Sequence, residues 1–232
     1  MHGKYLSILI MLLAVVATTC LAQTWDATRD FTNSNPNSAW SYGWGVTGTS
    51  FTLYTIYHPD CADLWGVQGF VCWTADLYPH LPEVGLNTSG HWLHWLTNVV
   101  PPNALFVQPG PDWDPGDSIV QWTAPATASY RISGFFEIID TNPSGIIILV
   151  FRNGTLLFRA ELLGPPAQYP DHIGGRVNFY FPEVSLNAGD VICFGVNSDG
   201  TFYYDGTGFN ATIVTPPNAP PCSVCSEQRR SP

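Results

Sequence analysis

Residues 118–140, SIVQWTAPATASYRISGFFEIID, limit the chain more than any other stretch. Tyr130, Ile132, Gly134, Phe136 and Ile138 fall on one face of an extended backbone. Arg131, Ser133 and Glu137 fall on the other, with Phe135 as the exception. A period of two is what a strand with one buried face demands, and a helix would scatter these apolar residues around its surface. Residues 119–122 run in, 124–128 turn and 130–138 run back, so a hairpin is predicted here.

Short strands recur along the chain. Trp40, Tyr42 and Trp44 place three large rings at every second residue. The segment 47–57, TGTSFTLYTIY, is β-branched and aromatic and is predicted as one strand. Residues 105–107 are a short strand, and IIILVF at 146–151 is an apolar run of the kind a centrally buried strand carries. Asn153-Gly154 is the strongest hairpin turn in the chain. Val177, Phe179 and Phe181 alternate with Asn178 and Tyr180, the segment 186–190 turns into a strand at 191–196, and 209–214 is the last strand. Many short strands with Gly/Pro turns, and no convincing helix beyond the N-terminal leader, predict an all-β fold. The expected architecture is an antiparallel β-sandwich, jelly-roll-like, as a single domain over residues 23–215. Residues 216–232 read as a flexible tail containing Pro and Cys.

The first 22 residues read as a signal peptide. Lys4 supplies a basic start, LSILIMLLAVV at 6–16 is an apolar core too short to span a bilayer comfortably, and a cut after Ala22 fits the small residues before it. Export without a membrane anchor is expected. The formal charge of −10 becomes −11 once Lys4 is removed, leaving seven arginines and no lysine. Such a surface repels phosphate backbones, which excludes nucleic acid as the expected partner. With 9 Trp, 10 Tyr, 13 Phe and only 11 % charged residues, the body of the chain is not disordered.

An exported chain can form disulfides. Cys61 and Cys72 flank the loop 62–71 and are the expected pair. Cys193 lies in an apolar strand and reads as a small buried hydrophobe. Cys222 and Cys225 in the tail lack the histidine or second CxxC of a zinc site, so a local disulfide or intermolecular cross-linking is expected of them.

Four ordered stretches carry a family resemblance. They are WDATRDF at 25–31 with NPNSAWSYG at 35–43, VGLNT at 84–88, QPG at 108–110 followed by VQWTAP at 120–125, and LNAGD at 186–190 with DGTGFNATIV at 205–214. Over roughly residues 25–214 the chain resembles the exported bacterial β-sandwich domain of many PEP-CTERM-sorted and related secreted proteins. That domain is itself similar to the jelly rolls of carbohydrate-binding modules. The resemblance implies no catalytic residues. The Pro-Glu-Pro sorting signal and basic end do not occur here, so secretion rather than sorting and anchoring is expected. Gln108 stands where the family often has His.

Sugar rings stack their C–H faces on exposed aromatics. Trp40, Tyr42 and Trp44 form one candidate platform and Trp92 with Trp95 another. The same alternation also marks a buried sandwich face, so core and platform remain alternatives. Asp112, Asp114 and Asp117 offer hard oxygen ligands at short spacing, a candidate structural calcium site, although the loop lacks the downstream Glu of an EF-hand and reads equally as a solvated turn. A second calcium idea joins Asp26 or Asp30 to Asp205 or Asn210. His91 and His94 point to opposite faces of a strand and read as ordinary loop residues. Asn87, Asn153 and Asn210 each start a glycosylation sequon. No GxSxG, P-loop or dinucleotide motif occurs. The expected function is a secreted, non-catalytic module that binds carbohydrate or another surface polymer through exposed aromatics. The alternatives are an extracellular structural or matrix protein and a glycoside hydrolase with unrecognised carboxylates.

Overall fold

The period-two stretch at 130–138 does form a strand, and its apolar face lies at the centre of the core. Tyr130, Ile132, Phe136 and Ile138 are each at most 1 % exposed, whereas Arg131 is exposed. Gly134 belongs to that face for a steric reason. A Cβ there would stand 2.2 Å from the Asn210 carbonyl and 2.3 Å from the Phe179 ring. The computed structural model describes residues 22–61, 66–75, 80–111 and 116–215. The leader up to residue 21, the tail with Cys222 and Cys225, and Asp112 and Asp114 lie outside the described residues.

The chain is all-β, a single antiparallel sandwich of two large sheets. The eight-stranded sheet runs in the order β14 (Arg176–Leu186), β11 (Ala128–Ile138), β16 (Thr207–Val214), β9 (Leu105–Gln108), β6 (Glu83–Asn87), β5 (Phe70–Thr74), β4 (Ile56–His58). The short β1 (Thr24–Asp26) also pairs with β16. The six-stranded sheet runs β13 (Thr155–Glu161), β12 (Ile147–Arg152), β15 (Val191–Asn197), β10 (Asp117–Thr123), β2 (Trp40–Gly45), β3 (Thr52–Leu53). A small hairpin, β7 (Leu93–Trp95) and β8 (Asn98–Val100), lies apart from both.

The predicted hairpin at 118–140 is corrected. Both strands exist, but β10 pairs with β15 and β2, while β11 pairs with β14 and β16 in the opposite sheet. Residues 124–127 arch from one sheet to the other. Trp122 and Tyr130 then meet across the core at 5.0 Å, with Trp25 at 5.3 Å from Trp122. The Tyr130 hydroxyl closes the arch by donating to the Ala126 carbonyl at 2.6 Å. Inter-sheet ring packing, rather than a two-strand ladder, satisfies the apolar faces.

The predicted strand at 47–57 is also broken. Thr49 N–H and Ser50 N–H both donate to the Val46 carbonyl and close a turn. β3 then joins the six-stranded sheet and β4 the eight-stranded one. Tyr54, 2 % exposed, crosses between them with its hydroxyl 2.8 Å from Ser118 Oγ. The run at 146–151 is β12, one strand in from the edge. Ile148 and Val150 are buried while Ile147 and Leu149 are only half-buried. Asn153 (φ 46°) and Gly154 (φ 79°) make the expected two-residue turn between β12 and β13.

The eight-stranded sheet carries apolar residues on both faces. Its inner face packs the main core. On its outer face Phe70, Cys72 and Phe106 meet Leu93, Trp95 and Val100 from the β7–β8 hairpin, a second and smaller core. The expected disulfide Cys61–Cys72 is formed, with Cα atoms 6.4 Å apart, and both cysteines belong to this second core. Cys193 is 7 % exposed, and burial pushes its thiol up to about 11.

Candidate aromatic cleft

The second core ends in a cleft of about 400 Å³. Its floor is the outer face of β6 and β9, with Glu83, Phe106 and Gln108. One wall is the β7–β8 turn, with Trp95, Leu96, Thr97 and Asn98. The other wall is Phe202, Tyr203 and Tyr204 from the loop that leads into β16. Small-molecule sites are commonly concave, largely apolar and supplied with a few convergent polar groups.

Each wall is held by specific bonds. Trp95 packs its ring 4.8 Å from Phe70 and 5.3 Å from Phe106, which fixes the base of the turn. Leu96 sits at the tip with φ 50° and is 78 % exposed. The Tyr169 hydroxyl donates to its carbonyl at 2.6 Å. On the opposite wall Tyr203 stacks on Phe202 at 4.2 Å, and Gln108 Nε2 donates to the Phe202 carbonyl at 2.7 Å. Ser144 Oγ lies 2.7 Å from the Tyr203 carbonyl and 2.9 Å from Asp205 Oδ1. Tyr204 has φ 68°. A bulky side chain in the left-handed region is unfavourable and persists where the surroundings hold it. The result is two adjacent, exposed tyrosine rings, 54 % and 44 % accessible, beside a polar floor.

Asp140 closes the back of the cleft and is 1 % exposed. Its carboxylate accepts from Thr97 Oγ1 at 2.7 Å and from Asn142 N–H at 2.8 Å. Burial raises its pKa above the ordinary aspartate value, partly offset by these two hydrogen bonds.

The residues singled out in the sequence are distributed differently. Trp40 (1 % exposed) and Tyr42 (0 %) are not a platform but part of the main core, because β2 turns them inward beside Trp122 and Val120 of β10. Burial also pushes the Tyr42 phenol far up, with the charge of Asp30 adding to the effect. Trp44 is half-buried against the same core. Trp92 is half-buried, and Trp95 (6 % exposed) is packed in the second core and also lines the cleft. Of these five residues, Trp95 alone lines the cleft. Tyr203 and Tyr204 are not among the site residues named from the sequence, although the Gly- and Tyr-rich loop 199–208 that holds them is one of the stretches the sequence marks as a place to look for function. Their signal was a paired tyrosine in a Gly- and Asp-rich loop between strands.

Asp117 is no loop ligand but a buried residue of β10. Its carboxylate accepts from Thr47 N–H at 2.8 Å, Thr47 Oγ1 at 2.6 Å and Asn197 Nδ2 at 2.6 Å. Of the second calcium idea, Asp26, Asp30 and Asn210 do come together, held to one another by hydrogen bonds. Asp26 takes Asn210 Nδ2 at 3.2 Å and Thr212 Oγ1 at 3.0 Å, joining β1 to β16, while Asp205 lies with Ser144 near the cleft. Among the described residues no group of three His, Cys, Asp or Glu is placed to hold a metal.

A second hollow of about 610 Å³ lies against Asp26, Phe135, Glu137 and Asn210. Its polar groups are largely committed: Arg176 pairs with Glu137 and lies 3.9 Å over the Phe135 ring. The aromatic cleft is therefore the stronger candidate.

No protein-family model and no curated protein matches the sequence. Among solved structures, a CBM4 module is similar at 15 % identity, with 86 % of this chain and 96 % of that one covered and a TM-score of 0.33. A family 35 carbohydrate-binding module from Clostridium thermocellum is similar at 11 % identity, covering 68 % and 98 %, with a TM-score of 0.27. The K3 cleaved adhesin domain of Lys-gingipain from Porphyromonas gingivalis w83 is similar at 13 % identity, covering 49 % and 74 %, with a TM-score of 0.32. Likeness at this level leaves function to be argued from the cleft.

Proposed function

We propose that the protein is a secreted, non-catalytic module that binds carbohydrate in the cleft between the β7–β8 turn and residues 202–204. The observation that carries this reading is the pair of exposed rings, Tyr203 and Tyr204, set beside buried hydrogen-bonding groups on the floor. Aromatic faces receive the C–H surface of a pyranose, and the polar groups fix its hydroxyls. The role assigned to Asp140 supports binding rather than hydrolysis, since its carboxylate serves as a fastening point for Thr97 and Asn142. The leader and the disulfide support secretion, as does the resemblance to exported bacterial sandwich domains.

The test is affinity electrophoresis in gels containing soluble polysaccharides, with wild type beside a Tyr203→Ala/Tyr204→Ala variant. Wild type is expected to be retarded by at least one glycan. The variant is expected to lose fivefold or more in affinity, from about 1 kcal/mol per aromatic contact, with an unchanged unfolding midpoint. Retention of full affinity by the variant would place the site elsewhere.

A further inference from the structure

The six-stranded sheet ends at β13, which pairs with β12 alone. Two backbone bonds fix which way its main chain points. Leu162 N–H donates to the Ile146 carbonyl at 2.8 Å, continuing the register that sets Ile148 opposite Ala160 and Val150 opposite Phe158. On the far side of β12, Asn153 N–H donates to the Val191 carbonyl at 3.1 Å, in the register that sets Leu149 opposite Gly195 and Ile147 opposite Asn197. Opposed residues in an antiparallel pair alternate between hydrogen-bonded and non-hydrogen-bonded. Even-numbered residues of β12 therefore bond to β13 and odd-numbered ones to β15. On β13, Phe158 and Ala160 direct their main-chain groups to β12, while those of Arg159 and Glu161 point out of the sheet edge.

An unpaired edge is a template for another strand. The other long edge strand, β14, contains Pro182, which has no N–H to give. β13 has no proline and is exposed or half-buried throughout, with Leu156 48 % accessible and Leu163, just beyond its end, 66 % accessible. Among the described residues no hydrogen bond or ion pair reaches the side chain of Arg159 or Glu161. Like charges on such an edge would repel a second copy, whereas these two are opposite in sign and two residues apart, on one face of the strand. In an antiparallel pair of two β13 strands centred on Ala160, each Arg159 stands directly across from Glu161 of the partner subunit. The main-chain groups of both residues also point outward there, so ladder bonds and charges are matched in the same register. Centring on Arg159 would set arginine against arginine, and centring on Glu161 would set glutamate against glutamate.

We propose that the protein forms a twofold-symmetric dimer in which the β13 strands of two copies pair antiparallel about Ala160 and join their six-stranded sheets into one. Opposite charges directly across a ladder are favourable and like charges are not, so the two arginine–glutamate pairs set the register. The pairing does not depend on what the cleft binds. It gives each particle two clefts, which raises avidity for any polymer that reaches both.

The experiment is sedimentation velocity on the mature full chain, from micromolar to near-millimolar concentration. Cys222→Ser and Cys225→Ser are included so that a cross-link through the tail does not contribute. A dimer is expected with the native edge. Arg159→Glu and Glu161→Arg are each expected to weaken it at least about tenfold, since each turns two attractive pairs into repulsive ones. The double reversal, Arg159→Glu with Glu161→Arg, is expected to restore it. Unfolding midpoints are expected to stay unchanged, because both side chains are exposed. Amide hydrogen exchange at residues 159 and 161 is expected to slow as the native chain is concentrated, which tests the edge without any substitution at it. A native edge that stays monomeric, a dimer that survives both single reversals, a double reversal no better than the single ones, or exchange at 159 and 161 indifferent to concentration overturns the proposal.

Discussion

Trp40 and Tyr203 are both large aromatic residues, and only their environments separate a structural role from a binding one. Trp40 is fully enclosed, with its ring 6.4 Å from Phe194. Trp40→Ala is expected to cost about 3–5 kcal/mol in urea unfolding, whereas the tyrosine pair is expected to act on affinity alone. The sequence could not separate them, because rings at every second residue mark either face of a strand. Asp140 adds a pH dependence. Burial raises its folded pKa above the unfolded value of about 3.9. The folded state therefore holds the proton more tightly, and the stability this gives is full below the unfolded value and lost as pH rises through the folded one. Compared with wild type, Asp140→Asn is expected to fare better at pH 7 than at pH 3 in chemical unfolding. A difference independent of pH would contradict the assignment.

At the scale of elements, strand positions were legible and strand partners largely were not. The alternation at 130–138 and the Asn153-Gly154 turn are local signals, and both are realised. The segment 124–127 carries Ala-Pro turn chemistry whether it closes a hairpin or arches between sheets. What decides is the inward packing of Trp122 and Tyr130 with Trp25, a contact with a residue about a hundred positions away. The 47–57 run shows the same limit, since its β-branched residues suit a strand in either sheet and Tyr54 bridges the two. The Cys61–Cys72 pair was readable from its short loop, and its role in the second core was not. Replacing both cysteines by Ala is expected to lower stability by about 2–4 kcal/mol. It is also expected to speed hydrogen exchange in β5 and the β7–β8 hairpin before the main core. Uniform exchange across the molecule would show that the second core is not a separate unit.

For the whole molecule, the strongly acidic composition sets the expectation that nucleic acid is not a partner. The cleft draws on residues near 81–83, 95–98, 106–108, 140 and 202–204, so it exists only once β6, β9, β16 and the β7–β8 hairpin are assembled. No local pattern encodes such a site, although the Gly- and Tyr-rich loop before β16 supplies its most exposed part. The most direct measurement is the affinity of wild type and the Tyr203→Ala/Tyr204→Ala variant for the same panel of soluble polysaccharides, each checked for native unfolding. The expected result is measurable binding by wild type and at least fivefold weaker binding by the equally stable variant. Equal binding by both, or none by wild type, would contradict a carbohydrate site in this cleft.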